Sequence, residues 1–330
     1  MEQITEKAIE QTDKKRLLKE SLMYFVLFMA LDIIMYYFFV KDNPNYDGIG
    51  SVIGFTMLIP IVSAILVENG FDFKKVVKSK FNLVYMIFLA VTIIALALKG
   101  ENAKKTLDTT NYIVEVVGLF VLISALKDKK LMGNLSLKSF FTWIVLILLL
   151  KSLQLSLMSL YVQGYVRIHD NILTTNVGTV LSFFGFIAFN LIYGIGEEYG
   201  WRRFLQPRLQ SSIGKVRGVL LTGLIWGIYH ISTYLLFGAK EMVYSLADII
   251  VFCICIGVFL GLCYMKTNSV VLVSILHLVN NVFMAFFFKS ISSDQAVYWR
   301  GDLSAEFYMV SMAVSLIVFM PFLLAKEYRG

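Results

Sequence analysis

Two of the chain's three histidines, His230 and His277, fall inside apolar stretches, and the adjacent carboxylates Glu197 and Glu198 close a third. An ionisable side chain in such surroundings costs at least ~2.5–3.5 kcal/mol on insertion scales, so each is a functional candidate by default. Neighbours on a helix point about 100° apart, so the two carboxylates cannot do one job. Arg202 follows Glu198 by four residues, the order and spacing of an ion pair on one helix face. Glu197 shares its face with Tyr193 and Trp201 and has no charged partner nearby in sequence. A carboxylate so placed is a candidate general base for a water molecule. His277 and Asn281, also four apart, share a second face. Together these groups supply a base, a second proton carrier and donors for a developing oxyanion. Two His and one Glu also make a catalytic zinc set with an open position, here His230, His277 and Glu197. Asn281 is a poor zinc ligand but a good donor, and Arg202 occupies Glu198. Those two points favour a reaction without a cofactor, while Zn2+ stays chemically sufficient.

The elements that must position these residues follow from composition. Of 330 residues, 58% are hydrophobic and 16% charged, with a mean hydropathy of +0.73. A soluble domain is roughly half apolar and a quarter charged. The apolar runs are continuous, which excludes the alternation of a β-barrel, and many approach the ~20 residues of a membrane-crossing helix. The expected fold is all-α, a polytopic transmembrane helix bundle of about ten spans with no soluble domain. The spans are read at 21–40, 49–67, 82–98, 112–126, 139–161, 177–196, 219–237, 247–265, 269–288 and 306–324. Residues 1–20 read as a charged N-terminal segment, 21–138 as helices whose role the sequence does not reveal, and 139–330 as the catalytic part.

Orientation follows from Lys and Arg. With both termini cytosolic, the inner connections hold 21 basic residues and the outer ones 8, Lys151 lying within a span. That is the asymmetry of the positive-inside rule, and it also accounts for the net charge of +7. No aromatic pattern is interleaved with Arg, so nucleic acid is not an expected partner. Cys253, Cys255 and Cys263 share one apolar segment and read as packing residues. The acidic N-terminus and its long apolar sequel do not resemble a cleaved signal, so the first helix is expected to be retained.

Pro60 and Pro321 are expected to kink their spans. Gly223/Gly227 and Gly257/Gly261 have the spacing of close helix crossings. Asp32, Glu115 and Lys151 are expected to be structural pairs or to reach the interface. One tension concerns depth. Glu197 falls at the cytosolic end of its span while His230 and His277 lie deeper, so the sixth helix must tilt or break at Gly194, Gly196 or Gly200.

Glu197-Glu198-x-x-x-Arg202, Trp226-x-x-x-His230 and His277-x-x-x-Asn281, in this order, resemble the three motifs of the CPBP family. That family includes CAAX-processing type II proteases and the bacterial Abi and bacteriocin-processing proteins. The stretch from Glu197 to Leu209 looks like its bacterial branch, which implies a bacterial plasma membrane. Trp226 stands where Phe is usual, a departure expected to leave the chemistry unaffected. The resemblance implies an intramembrane endopeptidase whose cavity opens to the cytosol. Its substrate would be a peptide or a membrane-anchored protein. In that reading Glu197 with His230 activates water, His277 and Asn281 hold the oxyanion, and Glu198 with Arg202 fixes the helix. Two other classes compete: a catalytically silent immunity or regulatory scaffold, and a transporter. A scaffold would show degraded motifs, and a transporter paired broken helices in repeated halves. The sequence shows neither.

Overall fold

Long apolar runs satisfy their backbone hydrogen bonds internally by coiling, and every regular element among the described residues is helical. The computed structural model describes residues 2–39, 54, 56–97, 101–161, 177–237, 240–291 and 303–329. Leaving aside single turns, the helices are α1 (Glu2–Phe39), α2 (Ile59–Glu68), α3 (Lys80–Ala97), α4 (Glu101–Lys127), α5 (Leu137–Tyr161) and α6 (Val177–Glu198). They continue as α7 (Gln206–Ile213), α8 (Lys215–Tyr229), α9 (Ile231–Phe237), α10 (Met242–Thr267), α11 (Val270–Ile291) and α12 (Ala305–Phe319).

Four stretches are long and apolar enough to cross a membrane: Leu137–Tyr161, Lys215–Leu235, Met242–Thr267 and Ala305–Leu324. They coincide with four of the ten expected spans. The remaining six fall within α1 and α6 or on shorter apolar helices, Ile59–Glu68, Lys80–Val91, Val116–Lys127 and Val270–Asn281.

The charged N-terminal segment and the first expected span form one 38-residue helix. At 1.5 Å per residue it is about 57 Å long, well beyond a ~30 Å hydrocarbon core. Its charged half docks on α7. Arg208 Nε donates to Glu20 Oε2 at 2.8 Å, and Ser212 Oγ donates to the Lys14 carbonyl at 3.4 Å.

Glycines set a close helix crossing among the described residues. A Cβ on Gly223 would stand 2.6 Å from the Ile254 Cα, and one on Gly227 would stand 2.6 Å from the Ile250 Cα. Helices α8 and α10 therefore meet backbone to backbone, as the small-residue spacing implied. Gly257 completes the contact, since its Cβ would lie 3.4 Å from the Gly223 Cα.

The prolines act at ends rather than as kinks. Pro60 lies in the first turn of α2, and Pro321 in the first turn of a 3₁₀ segment, Met320–Leu324, that follows α12. A proline costs nothing where the N–H has no helical partner.

Two of the three ionisable residues expected to be structural are buried and bonded. Lys151 Nζ donates to Gln154 Oε1 at 2.6 Å, and Gln154 Nε2 donates to Ser315 Oγ at 3.1 Å, tying α5 to α12. Asp32 accepts from Ser232 Oγ at 3.0 Å, tying α1 to α9. The side chain of Glu115 lies outside the described residues.

Candidate active site

Glu197 and Glu198 do not end their helix. The chain continues from α6 into a π-helical stretch, Tyr199–Leu205, and then directly into α7. The Gln206 N–H bonds to the Trp201 carbonyl, five residues back. Such π turns are rare and cluster at functional sites. Close packing accompanies this one. A Cβ on Gly200 would stand 2.5 Å from the Pro60 Cβ, and one on Gly196 would stand 2.9 Å from the Met57 carbonyl oxygen. The sixth helix, expected to tilt or break here, instead widens around Gly200, and the carboxylates sit inside a continuous rod. From α1, Tyr24 and Phe28 close the far side against Trp201, at ring-centroid distances of 6.0 and 5.2 Å.

Glu198 is the hub of the polar cluster. Its Oε2 lies 3.0 Å from Arg202 Nε, with both side chains fully buried. Its Oε1 accepts from His277 Nδ1 at 2.8 Å. The other imidazole nitrogen, Nε2, stands 3.5 Å from Glu197 Oε2. His277 on α11 therefore bridges the two neighbouring carboxylates of α6. Adjacent glutamates point apart on their own helix, and one imidazole reaches both by entering between them. Glu197 is 3% exposed and His277 4% exposed, so this cluster is shielded from its surroundings.

Trp226 is a wedge in the same cluster. The Arg202 guanidinium lies over its ring at 5.2 Å, and His277 meets the ring edge to face at 5.1 Å. His230 is a further neighbour of this ring, 6.2 Å from Trp226 between ring centroids. It occupies the turn where α8 gives way to α9, so the seventh expected span is broken at its histidine. His230 Nδ1 donates to the Trp226 carbonyl at 2.9 Å, which makes Nε2 the nitrogen able to take up a proton. Cys253 Sγ lies 3.8 Å from the same Nδ1, so this cysteine borders the site instead of only filling the core.

Asn281 stands apart. It is exposed, one turn beyond His277, and its Oδ1 accepts from Asn280 Nδ2 at 3.1 Å. The buried amide of the pair is Asn280, 3% exposed. Spacing alone marked Asn281 and passed over Asn280, whose position at i+3 from His277 was the available signal.

The structure thus brings together Glu197, Glu198, Arg202 and His277, with His230 one indole ring away and Asn281 at the margin. Both nitrogens of His277 face carboxylates. Among the described residues, no group of three or more His, Cys, Asp and Glu side chains is gathered as a metal ion would need. As arranged, Glu197, His230 and His277 do not form a ligand set.

Residues 178–283 match the family described as Type II CAAX prenyl endopeptidase Rce1-like. That segment, which contains all three motifs, is similar to this family. No curated protein and no solved structure matches the chain. The likeness to a membrane-protease family and the four helices long and apolar enough to cross a membrane point together to an integral membrane protein.

Proposed function

We propose that this chain is an intramembrane endopeptidase that cleaves a peptide or membrane-anchored protein with Glu197 as its general base. The observation that carries this reading is the bridge from His277 to both carboxylates, because it gives them different work. Glu198 is committed to Arg202 and to His277 Nδ1. Glu197 keeps its carboxylate for chemistry, with the His277 imidazole 3.5 Å away.

The reaction balances on these groups. Glu197 takes a proton from water as the water oxygen bonds to the scissile carbonyl carbon, and His230 carries the second proton of that water. The carbonyl oxygen becomes an oxyanion, stabilised by an Asn281 amide N–H and by His277, which as imidazolium carries an N–H on Nε2, the nitrogen that Glu198 does not hold. Asn281 suits this role because its Oδ1 already accepts from Asn280, leaving its amide N–H groups as donors. Glu197 then returns the proton to the leaving nitrogen as the C–N bond breaks. No metal enters any step.

Counts of Lys and Arg support both termini, and the mouth of the site, on the cytosolic side. The test is cleavage by purified protein in proteoliposomes of a peptide library that includes prenylated C-terminal sequences. Mass spectrometry reads the products, with Glu197→Ala as control. New termini formed by the native chain and not by the variant support the proposal. No cleavage of any library member favours a silent scaffold.

A further inference from the structure

Trp226 is 2% exposed, and its ring packs against the Arg202 guanidinium at 5.2 Å and against His277 at 5.1 Å. Its indole Nε1 is buried and closes no hydrogen bond of ordinary geometry, and Glu197 Oε2 shares that condition. The Trp226 indole and the Glu197 carboxylate are neighbours in this cluster, close enough to interact. A buried donor with no partner is costly, and so is a buried carboxylate oxygen with none. Each is the other's natural complement.

We propose that Trp226 is a positioning residue for Glu197, its indole N–H donating to that carboxylate and fixing the plane in which it meets water. This inference rests on Glu197 being the catalytic base, as proposed above. The argument is geometric. Arg202 anchors Glu198 from the same helix, but no cation reaches Glu197 within hydrogen-bond distance among the described residues. His277 approaches Glu197 only at 3.5 Å, too far to hold it firmly. Without a second donor the carboxylate could rotate about its last torsion, which has a broad two-fold profile. A phenylalanine at position 226 would fill the same space between Arg202 and His277 and provide no such donor.

The contact is read directly by the indole N–H resonances of 15N-tryptophan-labelled full-length protein in lipid nanodiscs. The chain has 4 tryptophans, and Trp226→Phe identifies the Trp226 signal by its loss. We expect that signal downfield of an unbonded indole in the native protein and shifted upfield in Glu197→Ala. In the cleavage assay, Trp226→Phe should lower kcat by roughly tenfold to a hundredfold, the scale of a misplaced catalytic group. KM and melting temperature should stay near native. A Trp226 resonance that ignores Glu197→Ala overturns the inference. So does a kcat within twofold of native, or a loss of activity that tracks a loss of thermal stability. Full activity of Glu197→Gln would instead sink the protease reading while leaving the N–H contact measurable by its resonance.

Discussion

His277 Nδ1 lies 2.8 Å from Glu198 Oε1, and the same imidazole places Nε2 3.5 Å from Glu197 Oε2. One side chain from α11 therefore joins a carboxylate held by Arg202 to a carboxylate that is not. Removing it leaves two buried acids side by side with a proposed oxyanion donor gone. His277→Ala should lower cleavage by roughly 10²–10³-fold, the scale of losing one oxyanion donor. Groups that act as a unit are strongly non-additive, so Glu197→Gln on top of it should cost little more. Additive losses in the rate of peptide cleavage would show that the two act separately.

Arg202 and Glu198 are both fully buried and 3.0 Å apart. Arg202→Ala strands the Glu198 carboxylate, and breaking a buried pair costs about 3–5 kcal/mol. The melting temperature in detergent should fall by several degrees. Arg202→Lys should recover only part of that loss, because a lysine cannot lay a planar guanidinium over Trp226. An unchanged melting temperature for the alanine variant would remove this pair from the structural account.

The ion pair was readable from the chain because i and i+4 meet on any helix, and the crossing of α8 with α10 was readable from its glycines. The bridge by His277 was not. It joins residues 79 positions apart, and no local pattern encodes which helix turns its imidazole toward which acid. The π-helical stretch was equally hidden, since Gly194, Gly196 and Gly200 announce close packing without saying that the helix widens there. Trp226 was read as a substitute ring, because only the packed structure shows its ring against Arg202 and His277 with a buried, unpartnered N–H. Spans were easiest to read where apolar runs are long, as in Met242–Thr267. They were hardest in α4, where the polar first half of a 27-residue helix dilutes the apolar second half.

Helices α8 and α10 touch at Gly223, where a Cβ would lie 2.6 Å from the Ile254 Cα and 2.9 Å from the Cys253 carbonyl oxygen. Gly223→Val must push the helices apart, and overpacking of this kind typically costs about 1–3 kcal/mol. Lower thermal stability is expected, with reduced activity because Cys253 borders His230. Native stability in the valine variant would mean that the crossing is looser than described.

The proposed chemistry involves no metal, so chelation provides a separate check. Protein treated with a strong chelator and passed through a desalting column should keep its cleavage rate. Elemental analysis should find zinc well below one equivalent per chain. Stoichiometric zinc, with activity lost on removal and restored on return, would overturn the glutamate mechanism and demand a rearranged ligand set.

The most direct test of the central claim is the single-turnover cleavage rate of Glu197→Gln beside the native chain, on the best substrate from the peptide library. Glutamine keeps the shape of the side chain, so the variant should retain the native melting temperature. The prediction is a rate at least roughly 10²-fold below native, the lower bound for losing a general base. A Glu197→Gln rate within a few-fold of native, in a well-folded sample, would contradict the assignment of Glu197 as the base.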